Sequence, residues 1–398
     1  MADVNPQKEI RSIARFFQRL TVITVMLALW VPFMGQLFLP APERSCDEKR
    51  RLARWPKLDA SVESVAAWPE AVGRWQDDHL GFRQWLIESW SRFSVEVFGV
   101  SSSLMTLVGK DGWLFLNDRD AVDNYRGLAP LTPYEIDRWR RVLEERRDWL
   151  AERGIQYLLV LVPDKHLVYD EFMPDSAPRM TSIHPLQQLS QHLRNESDIE
   201  FIDLEPTMRE KKNESLLYYK TDSHWNDAGA YLGYQAIHQR LAEISPQLKD
   251  TPPIRIAANA QLEKGLGLAG TLSMRDIYTE SVINRPVVSP QAVDLFPHRQ
   301  KDPCDGKMSG IILKTLIFET PDRSRPRALI FRDSFGNALV PYLAEDFSRS
   351  VFIWDRDVDP EAVIRENPDI VIQEIVGRFL GRRPRTLEEV RERNRRRS

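Results

Sequence analysis

Cysteine and histidine are scarce in this chain, two and seven in 398 residues. With only Cys46 and Cys304, a disulfide-dense scaffold and a zinc site of four thiolates are excluded, while a single bond between the two in an exported chain stays open. Asp222 and His224 supply two metal ligands at most, and no further His or Cys cluster completes a shell, so no metal is expected. The net charge is only −3, which gives no electrostatic reason to expect nucleic acid. A phosphate loop is missing too. Lys110-Asp111-Gly112 lacks the two glycines and the Lys-Ser/Thr pair of that motif and reads as a hairpin turn before the apolar run Trp113-Leu114-Phe115-Leu116. The remaining composition, 42% hydrophobic and 28% charged, is enough for one large core or two smaller ones.

The N-terminus supplies what soluble domains lack, an uncharged apolar run over residues 20–39. That length crosses a bilayer core as a helix, and Pro32 inside it is a tolerated kink. Lys8, Arg11, Arg15 and Arg19 precede the run and suit a cytoplasmic segment 1–19. Arg44, Lys49, Arg50, Arg51 and Arg54 follow it, so the balance of positive charge alone does not orient the span. No Ala-x-Ala site follows, which favours an uncleaved signal anchor at 20–40 over a removed leader. Residues 41–100 read as helical and rich in tryptophan (Trp68, Trp75, Trp85, Trp90). Packing on the main domain is favoured there over a carbohydrate-stacking surface, and His79 reads as structural. At the other end, residues 383–398 form a basic stretch of the kind that is usually a solvated terminus.

Between these ends the hydrophobic pattern alternates strand and helix. Thr132 as a cap, Pro133 in the first turn and the stripe Trp139, Val142, Leu143, Leu150 predict a helix over 132–153, closed by Gly154. Residues 155–162 are a continuous apolar strand, the pattern of a sheet covered on both faces. Further helices are expected at 185–194, 226–243 and 335–345, and strands at 199–204, 328–331, 350–354 and 369–375. Residues 250–326 read as an irregular insertion. The whole predicts an α/β fold with a parallel, doubly wound sheet over 101–382, whose ligands bind beyond the carboxyl ends of the strands.

Two separated segments, 219–226 and 331–337, supply an Asp, a His and a Ser at element boundaries. A serine hydroxyl becomes a nucleophile when an imidazole takes its proton, and a carboxylate fixes the tautomer of that imidazole. Asp222 and His224 would point the same way in an extended segment. Ser334 falls in the turn between a strand and a helix, where amides at the helix start would face a developing oxyanion. Taken singly, Asp222 and Ser334 read as helix caps and His224 as a packed ring. Taken together, they point to acyl transfer.

Asp78-His79-Leu80-Gly81-Phe82-Arg83, Gly109-Lys110-Asp111-Gly112-Trp113-Leu114-Phe115, Val162-Pro163-Asp164-Lys165, Asp222-Ser223-His224-Trp225-Asn226 and Arg332-Asp333-Ser334-Phe335 resemble, in this order, the alginate O-acetyltransferase family of the AlgJ and AlgX type. The likeness spans about residues 70–380. It implies a three-layer α/β/α SGNH-hydrolase-like (flavodoxin-like) domain working on exopolysaccharide in the periplasm, with Ser334 as nucleophile, His224 as base and Asp222 as its orienter. Arg332 stands where the family's relatives usually carry glycine. The resemblance also implies a polysaccharide acceptor, no cofactor and an inner-membrane anchor. With one span and no acetyl-CoA loop, the acetyl donor is expected to be a membrane-bound acyltransferase partner or an acetyl ester. Tyr219, Lys165, Arg332 and Arg378 are candidates to bind a uronate carboxylate or polarise a carbonyl, with structural ion pairing as the plainer alternative. Asp333 is expected to bond within the nucleophile turn, and Glu374 to support the site or pair with Arg378. An esterase and a non-catalytic polysaccharide-binding scaffold remain the alternatives.

Overall fold

The computed structural model describes residues 6–38, 43–48, 50–59, 61–296 and 315–396. Two compact units are present, Met1–Phe98 and Gly99–Ser398. Cys304, and with it any pairing to Cys46, lies outside the described residues.

In the first unit, helix α1 (Pro6–Phe38) contains Pro32 and carries the apolar stretch Ile13–Gln36, long and apolar enough to cross a membrane at a mean hydropathy of 1.6. The helix therefore starts well before residue 20. Two short strands, β1 (Arg44–Ser45) and β2 (Arg50–Arg51), pair antiparallel and precede α2 (Val62–His79) and α3 (Arg83–Phe98). Ser61 caps α2 by accepting from Ser64 N–H at 3.2 Å. Asp78, near the end of α2, is buried and accepts from Arg50 Nη1 and Ala53 N–H, each at 2.7 Å. The Arg50 hydrogen bonds hold its carboxyl down to about 2 despite burial. His79 stacks on Trp75 at 4.8 Å and bonds the Trp75 carbonyl, a structural role.

The second unit opens with the antiparallel hairpin β3 (Thr106–Val108) and β4 (Leu114–Leu116), with a 3₁₀ turn at Lys110–Gly112 between them. It continues through α4 (Arg119–Arg126), α5 (Pro133–Ala151), β5 (Gln156–Val162), α6 (Lys165–Val168), α7 (Pro185–Glu196), β6 (Phe201–Asp203), α8 (Glu205–Lys211) and α9 (Asp227–Ile244). After these come β7 (Asn259–Lys264), α10 (Gly267–Thr271), β8 (Thr279–Asn284), β9 (Val293–Asp294), β10 (Thr315–Glu319), β11 (Arg327–Arg332) and α11 (Val340–Leu343). The chain closes with β12 (Arg349–Trp354), α12 (Pro360–Glu366), β13 (Ile370–Val376) and α13 (Leu387–Arg395).

The main sheet has the order β6-β5-β13-β11-β12-β10-β9. Strands β6, β5, β13, β11 and β12 run parallel, while at one edge β10 pairs antiparallel with β12 and β9 antiparallel with β10. The sheet is thus mostly, not wholly, parallel, and the stretch expected to be irregular contributes β9 and β10 to it. The same stretch holds the antiparallel β7–β8 pair.

Strand alternation explains the layers. Leu158, Val160 and Val162 of β5 join Ile370, Ile372 and Val376 of β13 in one core, with Ala230, Tyr234, Ile237 and Leu241 of α9. Tyr157, Leu159 and Leu161 face the other way and meet Leu143 and Leu150 of α5, Leu189 and Leu193 of α7, and Ala362 and Val363 of α12. Successive side chains point to opposite faces, so both faces must be covered, which produces the α/β/α sandwich. Each fully buried aliphatic side chain contributes roughly 1.5–3 kcal/mol.

Local signals set the helix bounds. Thr132 and Glu135 form a complete capping box at the start of α5, and Gly154 beyond its end has φ +71°. The expected helix over 335–345 is replaced by a 3₁₀ turn at Phe335–Ala338, α11, and a second 3₁₀ turn at Ala344–Asp346. Pro341 has no N–H and its ring crowds a carbonyl one turn back, which disfavours a continuous helix here and suits its place in the first turn of α11. The basic end is not a solvated tail where it is described. A capping box at Thr386 starts α13, whose Leu387 and Val390 are buried. Arg385 and Arg393 bond the carboxylates of Asp357 and Asp355, and the fully buried Arg146 bonds Asp357 at 2.9 Å and the Arg385 carbonyl at 2.8 Å.

Candidate active site

Strand β11 ends at Arg332, and Ser334 lies in the turn that follows, at the carboxyl ends of the parallel strands. The 219–226 segment reaches the same place from the start of α9. A bridge between Tyr218 and Trp225, with Tyr219 N–H on the His224 carbonyl at 3.2 Å and Asn226 N–H on the Leu217 carbonyl at 2.9 Å, closes it into a tight loop. Asn226 then caps α9 through Ala228 and Gly229 N–H. The Trp225 ring is buried, packs against Gly229 and Gly233 and donates to the Phe335 carbonyl at 3.1 Å, tying this loop to the serine turn.

The three polar groups form one chain. Ser334 Oγ lies 2.8 Å from His224 Nε2, and Asp222 Oδ1 lies 2.6 Å from His224 Nδ1. Asp222 Oδ1 also accepts the His224 backbone N–H at 3.1 Å, so the two residues meet through a bend, not through the strand alternation expected for an extended segment. With Asp222 accepting at Nδ1, the neutral ring carries its proton there and presents a lone pair at Nε2 to the serine hydroxyl. Burial would raise the Asp222 carboxyl, but the facing His224 ring and its hydrogen bonds hold it well below the usual carboxylate range. The His224 ring packs 4.9 Å from Phe335, and its side chain remains 34% exposed, open to a ligand.

The stretch that looked irregular secures the acidic member. Gly267 N–H donates to Asp222 Oδ2 at 2.9 Å, and a Cβ on Gly267 would collide with that oxygen. The buried Glu280 carboxylate accepts Lys220 N–H at 2.9 Å and Thr221 N–H at 3.0 Å, and also the Thr221 hydroxyl. Leu266 N–H bonds the Thr221 hydroxyl at 3.0 Å and Leu268 N–H its carbonyl at 3.0 Å. Sequence reasoning singled out none of Thr221, Gly267 or Glu280 for the site.

The serine turn is braced from below. Asp333 is buried, with Oδ1 accepting Phe335 N–H at 2.9 Å and Oδ2 accepting Val376 N–H at 3.0 Å. Its own N–H donates to Glu374 Oε2 at 3.0 Å. Burial and the neighbouring Asp333 push the Glu374 carboxyl well up, which favours its neutral form. Phe335 N–H is therefore committed to Asp333, and Asn337 N–H to the Ser334 carbonyl at 3.3 Å. Oxyanion donors from this turn reduce to the amides of Ser334 and Gly336, and the short 3₁₀ turn offers no long helix dipole. Gly336 is required by close packing, since a Cβ there would stand 2.6 Å from Arg332 Cβ and 3.0 Å from Glu374 Oε2.

The four cleft candidates separate. Lys165 is buried and its ammonium donates to the carbonyls of Leu114, Tyr219 (3.0 Å), Lys220 (3.2 Å) and Asp222 (2.5 Å). Burial pulls its pKa down to about 7, opposed by the nearby negative charges of Asp222 and Glu280. Arg378 is an internal cation as well, bonded to the Asp164 carboxylate through Nη1 and through its backbone N–H at 2.7 Å. Its partner is Asp164, not Glu374. Arg332 is fully buried, donates to Asn337 Oδ1 at 2.6 Å and lies 5.2 Å over the Trp354 ring. Burial lowers its pKa to about 10, still a cation at neutral pH. Tyr219 is the half-buried one of the four, beside His224 in the loop. Lys165 and Arg378 thus hold backbone and loop in place instead of lining an open cleft. Among the described residues no cluster of three or more His, Cys, Asp or Glu is arranged to hold a metal ion.

Residues 106–294 match the family model described as SGNH hydrolase-like domain, acetyltransferase AlgX. This stretch is similar to the SGNH hydrolase-like domain of AlgX. Asp222 and His224 lie inside the matched stretch, whereas Ser334 lies beyond it and is placed by geometry alone. The "Probable alginate O-acetylase AlgJ" of Pseudomonas syringae pv. tomato is 23% identical over 244 residues, 61% of this chain and 58% of that protein. Its namesake in Pseudomonas aeruginosa is 30% identical over 148 residues, 37% of this chain and 35% of that protein. The chain therefore spans less than two thirds of the length of either curated relative. Among solved structures, Bacillus cereus PatB1 superposes with a TM-score of 0.51 at 17% identity, covering 68% of this chain and 95% of that one, a likeness of fold.

Proposed function

We propose that this protein is an O-acetyltransferase acting on an alginate-like bacterial exopolysaccharide through an acetyl-serine intermediate. The observation that carries the reading is the hydrogen-bonded chain Asp222–His224–Ser334, with its 2.6 and 2.8 Å links, at the carboxyl ends of a parallel sheet. The AlgJ relatives, named alginate O-acetylases, support the substrate class.

Ser334 Oγ attacks the acetyl carbonyl carbon of the donor as His224 Nε2 takes the hydroxyl proton. The tetrahedral intermediate collapses, the donor's oxygen leaves with the proton from His224, and the acetyl group stays on Ser334. A sugar hydroxyl then attacks the acetyl-serine, giving its proton to the same nitrogen, and Ser334 departs reprotonated. Throughout, Asp222 keeps the proton on Nδ1 and stabilises the imidazolium that forms in each half-reaction. No cofactor is required: the acetyl group comes from a membrane-bound acyltransferase partner or an acetyl ester. Helix α1 serves as a single-pass inner-membrane anchor that holds the catalytic domain in the periplasm.

The test incubates the full-length protein with an activated acetyl ester and an alginate oligosaccharide. Acetyl esters on the sugar hydroxyls, lost in Ser334→Ala, are expected. Release of acetate with no acetylated sugar counts against transfer, and turnover untouched by Ser334→Ala removes the serine from the reaction.

A further inference from the structure

Helix α3 is built inside out for a helix in water. Its buried positions are Ser91 and Ser94, at 2% and 4% exposure, whereas Leu86, Trp90, Phe93 and Val97 are 38%, 61%, 47% and 59% exposed. These four stand at i, i+4, i+7 and i+11, so they form one continuous stripe along the helix. Scattered exposed apolar residues are ordinary, but an aligned stripe containing a Trp and a Phe calls for a non-aqueous neighbour. The flank of the stripe is polar, with Arg92 and Glu96 paired at 2.7 Å and both open to solvent.

The seat of α3 indicates what that neighbour is. The turn that starts α3 is fastened to the last part of the apolar stretch Ile13–Gln36 of α1. Gly81 N–H donates to the Pro32 carbonyl at 3.0 Å, and a Cβ on Gly81 would strike that oxygen. On α1, Gly35 leaves room for the Phe82 ring, which a Cβ would meet at 2.7 Å. Phe82 holds a φ of +61°, a left-handed conformation that costs a bulky residue energy and is kept only where the surroundings enforce it. Two glycines and a strained phenylalanine thus lock the foot of α3 onto the end of α1 where the span leaves the apolar layer.

We propose that the stripe Leu86–Trp90–Phe93–Val97 lies in the headgroup–acyl boundary of the bilayer that α1 crosses, making α3 a second, interfacial membrane contact. This rests on the reading of α1 as a membrane anchor. Tryptophan is enriched at that boundary, and an amphipathic helix buries its apolar face there to a depth of about 5–10 Å. A helix in this position holds the foot of the chain flat on the membrane instead of leaving it on a single swivelling span.

The test uses the full-length chain in vesicles of phosphatidylethanolamine and phosphatidylglycerol, with Phe93→benzoylphenylalanine as a photo-crosslinker and Leu27→benzoylphenylalanine, inside the apolar stretch, in a parallel sample. Irradiation is expected to yield lipid acyl adducts at both positions by mass spectrometry. Lipid adducts at position 27 but none at 93 overturn the interfacial placement alone, whether 93 links to residues 99–398, to a second copy or to nothing. Their absence at 27 overturns the anchor reading first, and the proposal with it. A milder variant guards against misfolding: Trp90→Phe in vesicles of brominated lipid should show less fluorescence quenching than the unaltered chain. Equal quenching would contradict the placement.

Discussion

Ser334 Oγ and His224 Nε2 lie 2.8 Å apart although 110 positions separate them in the chain. The serine is delivered by the end of β11 and the histidine by the loop before α9. The Trp225–Phe335 hydrogen bond joins the two segments beside them. Asp222 completes the relay from the other side of the ring. Replacing Asp222 by Asn preserves shape but lets an amide N–H face Nδ1, which moves the ring proton to Nε2 and removes the base. Turnover of an acetyl ester by Asp222→Asn should fall by a factor on the order of 10⁴ in kcat, with KM and the unfolding midpoint little changed. Steady-state kinetics beside a urea titration checks this.

Gly267 gives a second, purely geometric prediction. Its amide fixes Asp222 Oδ2, and a methyl group at this position would occupy the space of that oxygen. Gly267→Ala should displace the carboxylate and lower kcat roughly 100-fold, because small misplacements in a reacting constellation are costly. Circular dichroism should be unchanged. Activity equal to that of the unaltered chain would mean that Asp222 does not need this support.

Lys165 predicts a stability effect. Lys165→Met keeps much of the volume but abandons four carbonyl oxygens in a buried site. The loss should be roughly 3 kcal/mol or more, read from the urea midpoint. A methionine variant as stable as the original would place the lysine outside the framework of the loop.

His166 gives a pH dependence of defined sign. It is buried, bonds the Leu116 carbonyl at 2.9 Å, and burial lowers its pKa from 6.5 to about 4. Between these values the unfolded chain binds a proton that the folded chain refuses, so stability falls as pH drops from 6.5 to about 4 and levels off below. The effect is about 3 kcal/mol across the window. Groups such as Asp222 titrate as well, so the comparison is with His166→Gln, which keeps a donor for Leu116. The difference in urea midpoint between the two proteins should shift in favour of the variant on going from pH 7.5 to 4.5. A constant difference would contradict a buried neutral His166.

Much of this architecture was legible because its causes are local. The capping box of Thr132 and Glu135 and the apolar run of β5 act within a few residues, so periodicity and cap chemistry placed them. Asp222, His224 and Ser334 stood out because each flanks an element boundary with a residue type that acyl transfer needs. What stayed hidden depends on distance. Glu280 reaches Thr221 across 59 positions and Gly267 reaches Asp222 across 45, and no local pattern marks either. Lys165 and Arg378 carried charges that suggested a uronate pocket, but burial against carbonyls and Asp164 turned them inward. Pro341 is itself a local signal for the interruption within 335–345.

The most direct test is the chemical state of Ser334 during turnover. The full-length protein is mixed with an activated acetyl ester, acid-quenched before the donor is exhausted, digested and mapped by mass spectrometry. One acetyl group on the peptide containing Ser334, absent from Ser334→Ala and His224→Ala, is predicted, with its loss hastened by an added oligosaccharide acceptor. An unmodified Ser334 in an enzyme that is still turning over the ester, or equal turnover by Ser334→Ala, would contradict the acetyl-serine route.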